Sequence, residues 1–91
     1  MTIAQKVKVY DNLGESADRY TVVFGKHLGV YPYYAMSAQP RHPWGICQYG
    51  ELKQSPGDYL GKKISFASLP EDCRKFIESY FKDDAAQVKS A

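Results

Sequence analysis

The first third of the chain carries the alternation of polar and apolar residues that is typical of β-strands. Residues 6–10, Lys-Val-Lys-Val-Tyr, alternate with a period of two, which predicts a half-buried strand. Residues 19–24, Arg-Tyr-Thr-Val-Val-Phe, are rich in β-branched and aromatic side chains and predict a second strand that ends at Gly25. The turn-forming residues 11–14, Asp-Asn-Leu-Gly, lie between them. We therefore expect an antiparallel hairpin.

Two further strands are expected on either side of a proline-rich loop. The aromatic run 31–38 predicts a third strand, and the short run 45–49 predicts a fourth that pairs back on the third. Between them lies the loop 39–45, Gln-Pro-Arg-His-Pro-Trp-Gly. Its two prolines remove backbone donors and favour extended geometry in the residues before them, which excludes a helix or a central strand.

The segment that follows predicts a surface loop and then a short strand. Residues 51–61 contain Ser-Pro-Gly-Asp, a run of turn-forming residues, and are interpreted as a surface loop. Residues 62–66, Lys-Lys-Ile-Ser-Phe, predict a last short strand or an extended lead-in to a helix.

Apolar residues at steps of three and four predict one helix near the C-terminus. Ser68 and Glu71 have the spacing of a capping box at its start. The polar residues 83–91 are expected to form a frayed or disordered tail. The apolar stripe consists of Leu69, Cys73, Phe76, Ile77, Tyr80 and Phe81. The fold expected for residues 1–82 is a single α+β domain, in which an antiparallel sheet of four to five strands has the C-terminal helix packed on one face.

Three aromatic residues in or near the loop 39–45 can be buried in the core or exposed to solvent. Strand alternation places Tyr33 and Tyr34 on opposite faces, so one of the two rings is expected in the core. Trp44 has two interpretations: its ring folds back and closes the sheet edge, or it is exposed as a contact residue.

Composition indicates a globular chain without a strong charge. The hydrophobic content of 44% excludes a disordered protein, and the net charge of +2 is too small to indicate a nucleic-acid-binding protein by itself. Residues 26–63 hold a local basic excess. This excess is interpreted as a solvated surface, and the alternative is electrostatic steering of an acidic partner. Its bases are Lys26, Arg41, Lys53, Lys62 and Lys63, against the acids Glu51 and Asp58.

The candidate chemical residues do not form a recognisable catalytic or metal motif. Cys47 and Cys73 are not in a CxxC pair, and His27 and His42 are isolated, whereas zinc ligands usually come in close pairs. We expect Cys73 in the core and Cys47 half-buried in a strand. No P-loop, GxGxxG or HExxH motif is present, so the prediction is a non-enzymatic protein without cofactor or metal. No signal peptide or membrane-length apolar run is visible, which predicts a cytoplasmic protein with reduced thiols.

The middle of the chain interleaves aromatic and basic residues, which suits two kinds of partner. Single-stranded nucleic acid is bound by rings that stack on bases and by cations that meet phosphates. Protein interfaces use Tyr, Trp and Arg as their main energetic anchors. The low net charge favours a protein partner, although half of the rings are expected simply to pack against the helix. The candidate partner-binding residues are Lys26, Arg41, His42, Trp44, Lys62 and Lys63.

Three segments together resemble a family of small, uncharacterised proteins from bacteriophages and other mobile elements of bacteria. They are residues 18–24, Asp-Arg-Tyr-Thr-Val-Val-Phe; residues 34–45, Tyr-Ala-Met-Ser-Ala-Gln-Pro-Arg-His-Pro-Trp-Gly; and residues 61–73, Gly-Lys-Lys-Ile-Ser-Phe-Ala-Ser-Leu-Pro-Glu-Asp-Cys. The chain is also similar in size and make-up to small phage proteins that inhibit the type I-F CRISPR surveillance complex. This resemblance implies a stoichiometric inhibitor in the cytoplasm of a bacterial host. It would dock on Cas subunits, with guide RNA within reach, and prevent target DNA from hybridising.

Overall fold

The structure, a computed structural model, describes the backbone of residues 6–90 and the side chains of residues 6–81. The expected α+β fold is confirmed, with five antiparallel strands and a C-terminal helix among the described residues. The strands are β1 (Val7–Asp11), β2 (Tyr20–Phe24), β3 (Tyr31–Met36), β4 (Cys47–Leu52) and β5 (Lys62–Ile64). Two 3-10 turns, Asp58–Leu60 and Phe66–Ser68, flank β5, and helix α1 spans Glu71–Ser90.

The strands lie in the order β4-β3-β2-β1-β5, so the chain forms a meander and then crosses to the far edge. Every neighbouring pair is antiparallel. β4 begins two residues later than the predicted strand at 45–49, at Cys47. It also ends later, because Gly50, Glu51 and Leu52 pair with β3 and do not belong to the following loop. The loop 39–45 therefore lies at one end of the sheet, beyond β3 and β4.

Helix α1 covers one face of the sheet and makes the core. Its buried residues Cys73 and Ile77, together with Leu69 just before the helix, pack with side chains of β1, β2 and β3. The predicted apolar stripe is confirmed as buried at these three positions, but its other members are less buried. Phe76 and Phe81 are half-buried there, and Tyr80 is 38% exposed. The sheet residues of this core are Val7, Val9, Tyr20, Val22 and Met36.

The opposite face of the sheet is also covered. Tyr10 and Val23 point away from the helix, and only 3% and 1% of their surfaces are exposed. Pro56 and Tyr31 line a cleft with Val23, and the Tyr59 hydroxyl donates to the Ser55 carbonyl oxygen at 2.9 Å. The predicted surface loop 51–61 is thus partly wrong: its first two residues extend β4, and the remainder folds against this second face.

Tyr33 and Tyr34 lie on opposite faces, as alternation predicts, and Tyr34 is the ring on the helix side. It makes edge contacts with Phe76 at 5.1 Å and with Tyr49 at 5.4 Å between ring centroids. On the other face the Tyr33 ring covers Gly50, so a β-carbon at Gly50 would collide with that ring. Glycine at this strand position is explained by the cross-strand ring rather than by backbone conformation.

The predicted capping box at the start of α1 is wrong. The helix begins at Glu71, and its first backbone bond runs from the Arg74 amide to the Pro70 carbonyl oxygen at 3.1 Å. Ser68 lies in the preceding 3-10 turn, where its hydroxyl is 2.7 Å from that of Ser65. Pro70 ends this turn, and a residue before proline disfavours helical geometry, so the helix starts too late for Ser68 to cap it.

The predicted boundary between a domain at 1–82 and a tail at 83–91 stays a prediction. The backbone of α1 continues to Ser90, beyond the helix end that the apolar stripe predicted. The first five residues, the last residue and the side chains after Phe81 lie outside the described residues.

Asp11 is a buried carboxylate that closes the β1–β2 hairpin. It accepts hydrogen bonds from Arg19 Nε at 2.7 Å, from Arg19 Nη2 at 3.0 Å and from the Leu13 amide at 2.8 Å. The hydrogen bonds from Arg19 are the main reason that the pKa of this carboxyl lies below its usual range. The sequence indicated Asp11 only as a turn former, but its bonds to Leu13 and Arg19 hold together the two ends of the β1–β2 connection.

This ion pair predicts a specific acid sensitivity. A depressed pKa in the folded state stabilises the fold at pH values above the pKa of an unfolded aspartate, about 3.9, and the contribution is lost as pH falls through the lower folded value. We expect Asp11→Asn to lower the free energy of unfolding at pH 7 by about 1.5 kcal/mol, the low end for charged hydrogen bonds, because Arg19 is half exposed. The difference from the parent should shrink below pH 4 in urea titrations. Glu15→Gln, exposed in the same hairpin, is the control, and a difference for Asp11→Asn that stays constant down to pH 2 would contradict this role.

Candidate functional site

The loop 39–45 is built from successive tight turns. The His42 amide donates to the Gln39 carbonyl oxygen at 3.1 Å, and the Gly45 amide donates to the His42 carbonyl oxygen at 2.8 Å. A β-carbon at Gly45 would collide with the Gln39 carbonyl, so the turn closes only with glycine there. At the base of the loop the Ser37 amide donates to the Ile46 carbonyl oxygen at 2.9 Å. The loop thus has a defined backbone conformation.

Arg41 ties this loop to the first turn of helix α1. Its Nε and Nη2 atoms donate to Asp72 Oδ1 at 3.0 and 2.8 Å, and its backbone amide donates to Asp72 Oδ2 at 3.2 Å. These bonds from Arg41 are the largest cause of a lowered pKa at Asp72. Arg41 was predicted as a partner-binding residue. The structure shows its guanidinium bonded to Asp72, so Arg41 positions the loop, and its contact with a partner stays a prediction.

Cys73 attaches the base of the same loop to the core. Its thiol donates to the Ser37 carbonyl oxygen at 3.1 Å, and burial raises its pKa to about 12. Burial also raises the pKa of the half-buried Cys47 thiol. The predicted places of the two cysteines are confirmed. Neither thiol is in a setting that favours the thiolate, the form that acts as a nucleophile.

Trp44 projects from the loop into solvent. It is 88% exposed, so the interpretation in which its ring folds back to close the sheet edge is wrong. Its backbone amide donates to His42 Nδ1 at 3.1 Å, which leaves the imidazole Nε2 free to donate outward. His42 and Trp44 line a shallow cleft of about 430 Å³ together with residues 37–39. On its other side His42 lines a second cleft of about 450 Å³ with Arg41 and Asp72.

Comparisons with protein-family models, with curated proteins and with solved structures find no match for this chain. They therefore assign no role to any residue of the loop. The chemistry of the loop follows from the groups that it presents: an indole, an imidazole edge and the two shallow clefts beside them.

The other predicted site residues do not join this loop in one patch. Lys26 follows β2 at the end of the sheet opposite to the loop. Lys62 and Lys63 lie in β5, on the far edge from β4 and about 14 Å from β3 by strand spacing. All three side chains are exposed. The structure thus brings together Arg41, His42 and Trp44. The three lysines lie away from this group, and Lys26 also lies apart from Lys62 and Lys63.

Two exposed apolar features were missed by sequence reasoning. Leu28 is 89% exposed at the tip of the β2–β3 hairpin, where it adopts a positive φ of 50° and Gly29 one of 84°. Positive φ at both central residues is the geometry of a type I′ turn, in which Asn or Gly usually takes the place of leucine. The only sequence signal for this turn was the Leu28-Gly29 pair, in which glycine favours a positive φ. The second feature is a cleft of about 340 Å³ near β4, lined by aromatic residues that include Phe24, Tyr49 and Tyr80.

Within the described residues, no group of three or more His, Cys, Asp or Glu side chains is arranged to hold a metal ion. The described helix does not have both the length and the apolar character that crossing a membrane requires. The predictions about metal, cofactor and cell compartment stay predictions.

Proposed function

We propose that this protein is a non-enzymatic inhibitor that docks on a host defence complex of bacteria through the loop 39–45. The observation that carries the proposal is the exposed Trp44 ring on a loop whose backbone is already fixed. The resemblance to small phage proteins supplies the class of partner, which is a CRISPR-Cas surveillance complex. The inhibitor would occupy Cas subunits close to the guide RNA and block target DNA.

A fixed loop favours tight docking, because binding does not need to order it. The turns at Gln39, His42 and Gly45 and the Arg41–Asp72 bonds hold the backbone before any partner arrives. Less conformational entropy is then lost on association. An exposed tryptophan offers a large apolar area, and tryptophan is enriched among the residues that dominate interface energies.

The alternative function, a small nucleic-acid-binding accessory protein, has weaker support. His42 and Trp44 could stack on bases, but a track for the phosphate backbone needs cations close to the rings. Arg41 is paired with Asp72, while Lys26 and the β5 lysines lie elsewhere on the surface. Salt dependence distinguishes the two functions, because nucleic-acid affinity falls steeply and log-linearly with salt.

The direct test is interference by a defined CRISPR system. A bacterial strain with an active type I-F system is challenged with a phage that its guide RNA targets, with and without expression of this chain. We expect expression to restore plaque formation by several orders of magnitude, and purified chain to prevent the surveillance complex from shifting target DNA in a gel. A strain that lacks the guide is the control. Unchanged plaquing together with unchanged DNA binding would reject this partner, since sequence recognition by guide pairing would then be unimpeded.

A further inference from the structure

β4 is an edge strand whose outward backbone groups can be identified. The bond from the Ser37 amide to the Ile46 carbonyl oxygen, together with the pairing of Met36 with Cys47, fixes the pattern of the β3–β4 ladder. In an antiparallel ladder hydrogen-bonded and non-hydrogen-bonded pairs alternate. The even-numbered residues of β4 therefore bond to β3. The amides and carbonyls of Cys47, Tyr49 and Glu51 point away from the sheet.

The two edge strands of the sheet differ in how well they are protected against pairing with another chain. β5 is three residues long, contains Lys62 and Lys63, and has a 3-10 turn on each side, which are common devices against edge pairing. β4 is six residues long and contains neither lysine nor proline. Within the described residues no strand pairs with its outer edge. A regular edge of this length is a template for one more strand.

We propose that β4 pairs antiparallel with β4 of a second copy of this chain, with Tyr49 opposite Tyr49 across a two-fold axis. The outward groups of one copy must face those of the other, so odd-numbered residues pair with odd-numbered residues. Centring on Tyr49 uses all three outward-facing residues of each copy. Tyr49 pairs with itself, and Cys47 pairs with Glu51 of the second copy. The helices then lie on the same side of one continuous sheet.

The side chains of this register are compatible with a second copy. Glu51 faces the uncharged Cys47, so no like charges meet, and like charges directly opposite each other destabilise a sheet. Ile46 falls opposite Leu52 of the second copy, which gives an apolar pair at each end of the new ladder. Both are only partly buried in the single chain.

The central tyrosine pair continues an aromatic row that already runs across β2, β3 and β4. Ring centroids are 6.0 Å apart for Phe24 and Tyr34 and 5.4 Å apart for Tyr34 and Tyr49. The row ends at Tyr49, which is 56% exposed at the edge. Aromatic cross-strand pairs are among the more stabilising neighbours in sheets. A second copy extends this row through the two-fold axis and covers the exposed rings.

Pairing would have a consequence for binding, although it does not depend on the proposed function. The loop 39–45 precedes β4 in each copy, so the two loops would lie at opposite ends of the paired strands. A dimer would present two Trp44 rings facing different directions. Two such sites on one partner or on two neighbouring partners would raise the apparent affinity through effective concentration.

Disulfide trapping tests the register. A Cys47→Ser/Tyr49→Cys protein places two thiols across the axis, with Cα atoms about 5.5 Å apart, within the range of a disulfide. We expect mild oxidation to convert most of it to a covalent dimer. Cys47→Ser/Lys53→Cys is the control, because position 53 lies opposite position 45 and its two thiols would be more than about 20 Å apart. Equal trapping of both variants, or of neither, would overturn the register.

Proline at an outward position tests the pairing without disturbing the fold. Glu51→Pro removes an amide that points away from β3, whereas Glu51→Ala keeps it. In sedimentation equilibrium we expect the parent and Glu51→Ala to dimerise with similar constants and Glu51→Pro to dimerise at least tenfold more weakly. Its melting temperature should be unchanged at protein concentrations where the parent is monomeric. A parent that stays monomeric up to about 1 mM would overturn the proposal. If such a monomeric parent lost its partner on Glu51→Pro, the edge would instead take a strand of that partner.

Discussion

Replacing Ile77 by alanine is expected to lower the free energy of unfolding by about 3 kcal/mol, within the range for emptying a buried aliphatic site. Ile77 has no exposed surface and packs in the core cluster between α1 and the sheet. Five strands and a single described helix leave few places where such a cavity could be filled by rearrangement. The measurement is the urea midpoint and slope at 25 °C.

Two neighbours on the same helix make the Ile77 result interpretable. Ser79→Ala changes an exposed residue and should stay within about 0.5 kcal/mol of the parent. Phe76→Ala removes a larger but half-buried ring, so it should cost no more than Ile77→Ala despite the greater volume lost. A Phe76→Ala protein clearly less stable than Ile77→Ala would mean that the ring contact with Tyr34, and not the Leu69–Cys73–Ile77 line, holds the helix on the sheet.

Periodicity predicted most of the fold because each signal depends on residues close together in the chain. The alternation at residues 6–10 and the β-branched run at 19–24 correspond to β1 and β2 within one residue or so. The four-residue spacing of Leu69, Cys73 and Ile77 identified the buried line that runs from just before α1 into the helix. These patterns reflect which face of a strand or helix meets the core, and one dominant core makes the answer unambiguous.

Two of the features that sequence reasoning missed depend on residues far apart in the chain. Arg41 looked free because its partner, Asp72, lies 31 residues later, and only the folded chain brings the two together. The position of the loop on the second sheet face has the same origin, since a polar loop with Pro56 gives no local sign that it lines a cleft with Val23. The capping-box spacing at Ser68 was present, but Pro70 shifted the helix start and removed its function.

The candidate site was predicted only in part, because some of its features are local in the sequence and others depend on the folded chain. Two prolines within seven residues excluded a helix or a central strand for this loop, and the turns at His42 and Gly45 agree with that. Whether Trp44 is buried or exposed could not be decided from the sequence, because it depends on the direction in which the loop leaves β3. The dispersal of Lys26 and the β5 lysines also required the strand order, which places β5 beside β1 and not beside β4.

Trp44→Ala is expected to abolish most of the docking activity while leaving stability unchanged. A ring with 88% of its surface exposed contributes little to the core, so the melting temperature should stay within about 2 °C of the parent. If Trp44 is a dominant interface anchor, its removal costs about 2 kcal/mol or more, which corresponds to about a 30-fold weaker complex. The readouts are the affinity for the purified surveillance complex and the plaquing efficiency in the type I-F strain.

Leu28 provides the matched control, because it is exposed to the same degree at the other end of the sheet. Leu28→Asn suits the positive φ of its turn and removes an apolar side chain that is 89% exposed. If docking uses the loop 39–45, this variant should bind like the parent. Asp72→Asn adds a further step: it releases Arg41 without touching Trp44, so it should weaken binding less than Trp44→Ala and mainly by loosening the loop. Full binding by Trp44→Ala together with loss of binding by Leu28→Asn would reject the loop and move the docking surface to the hairpin tip, beside the aromatic cleft of Phe24, Tyr49 and Tyr80.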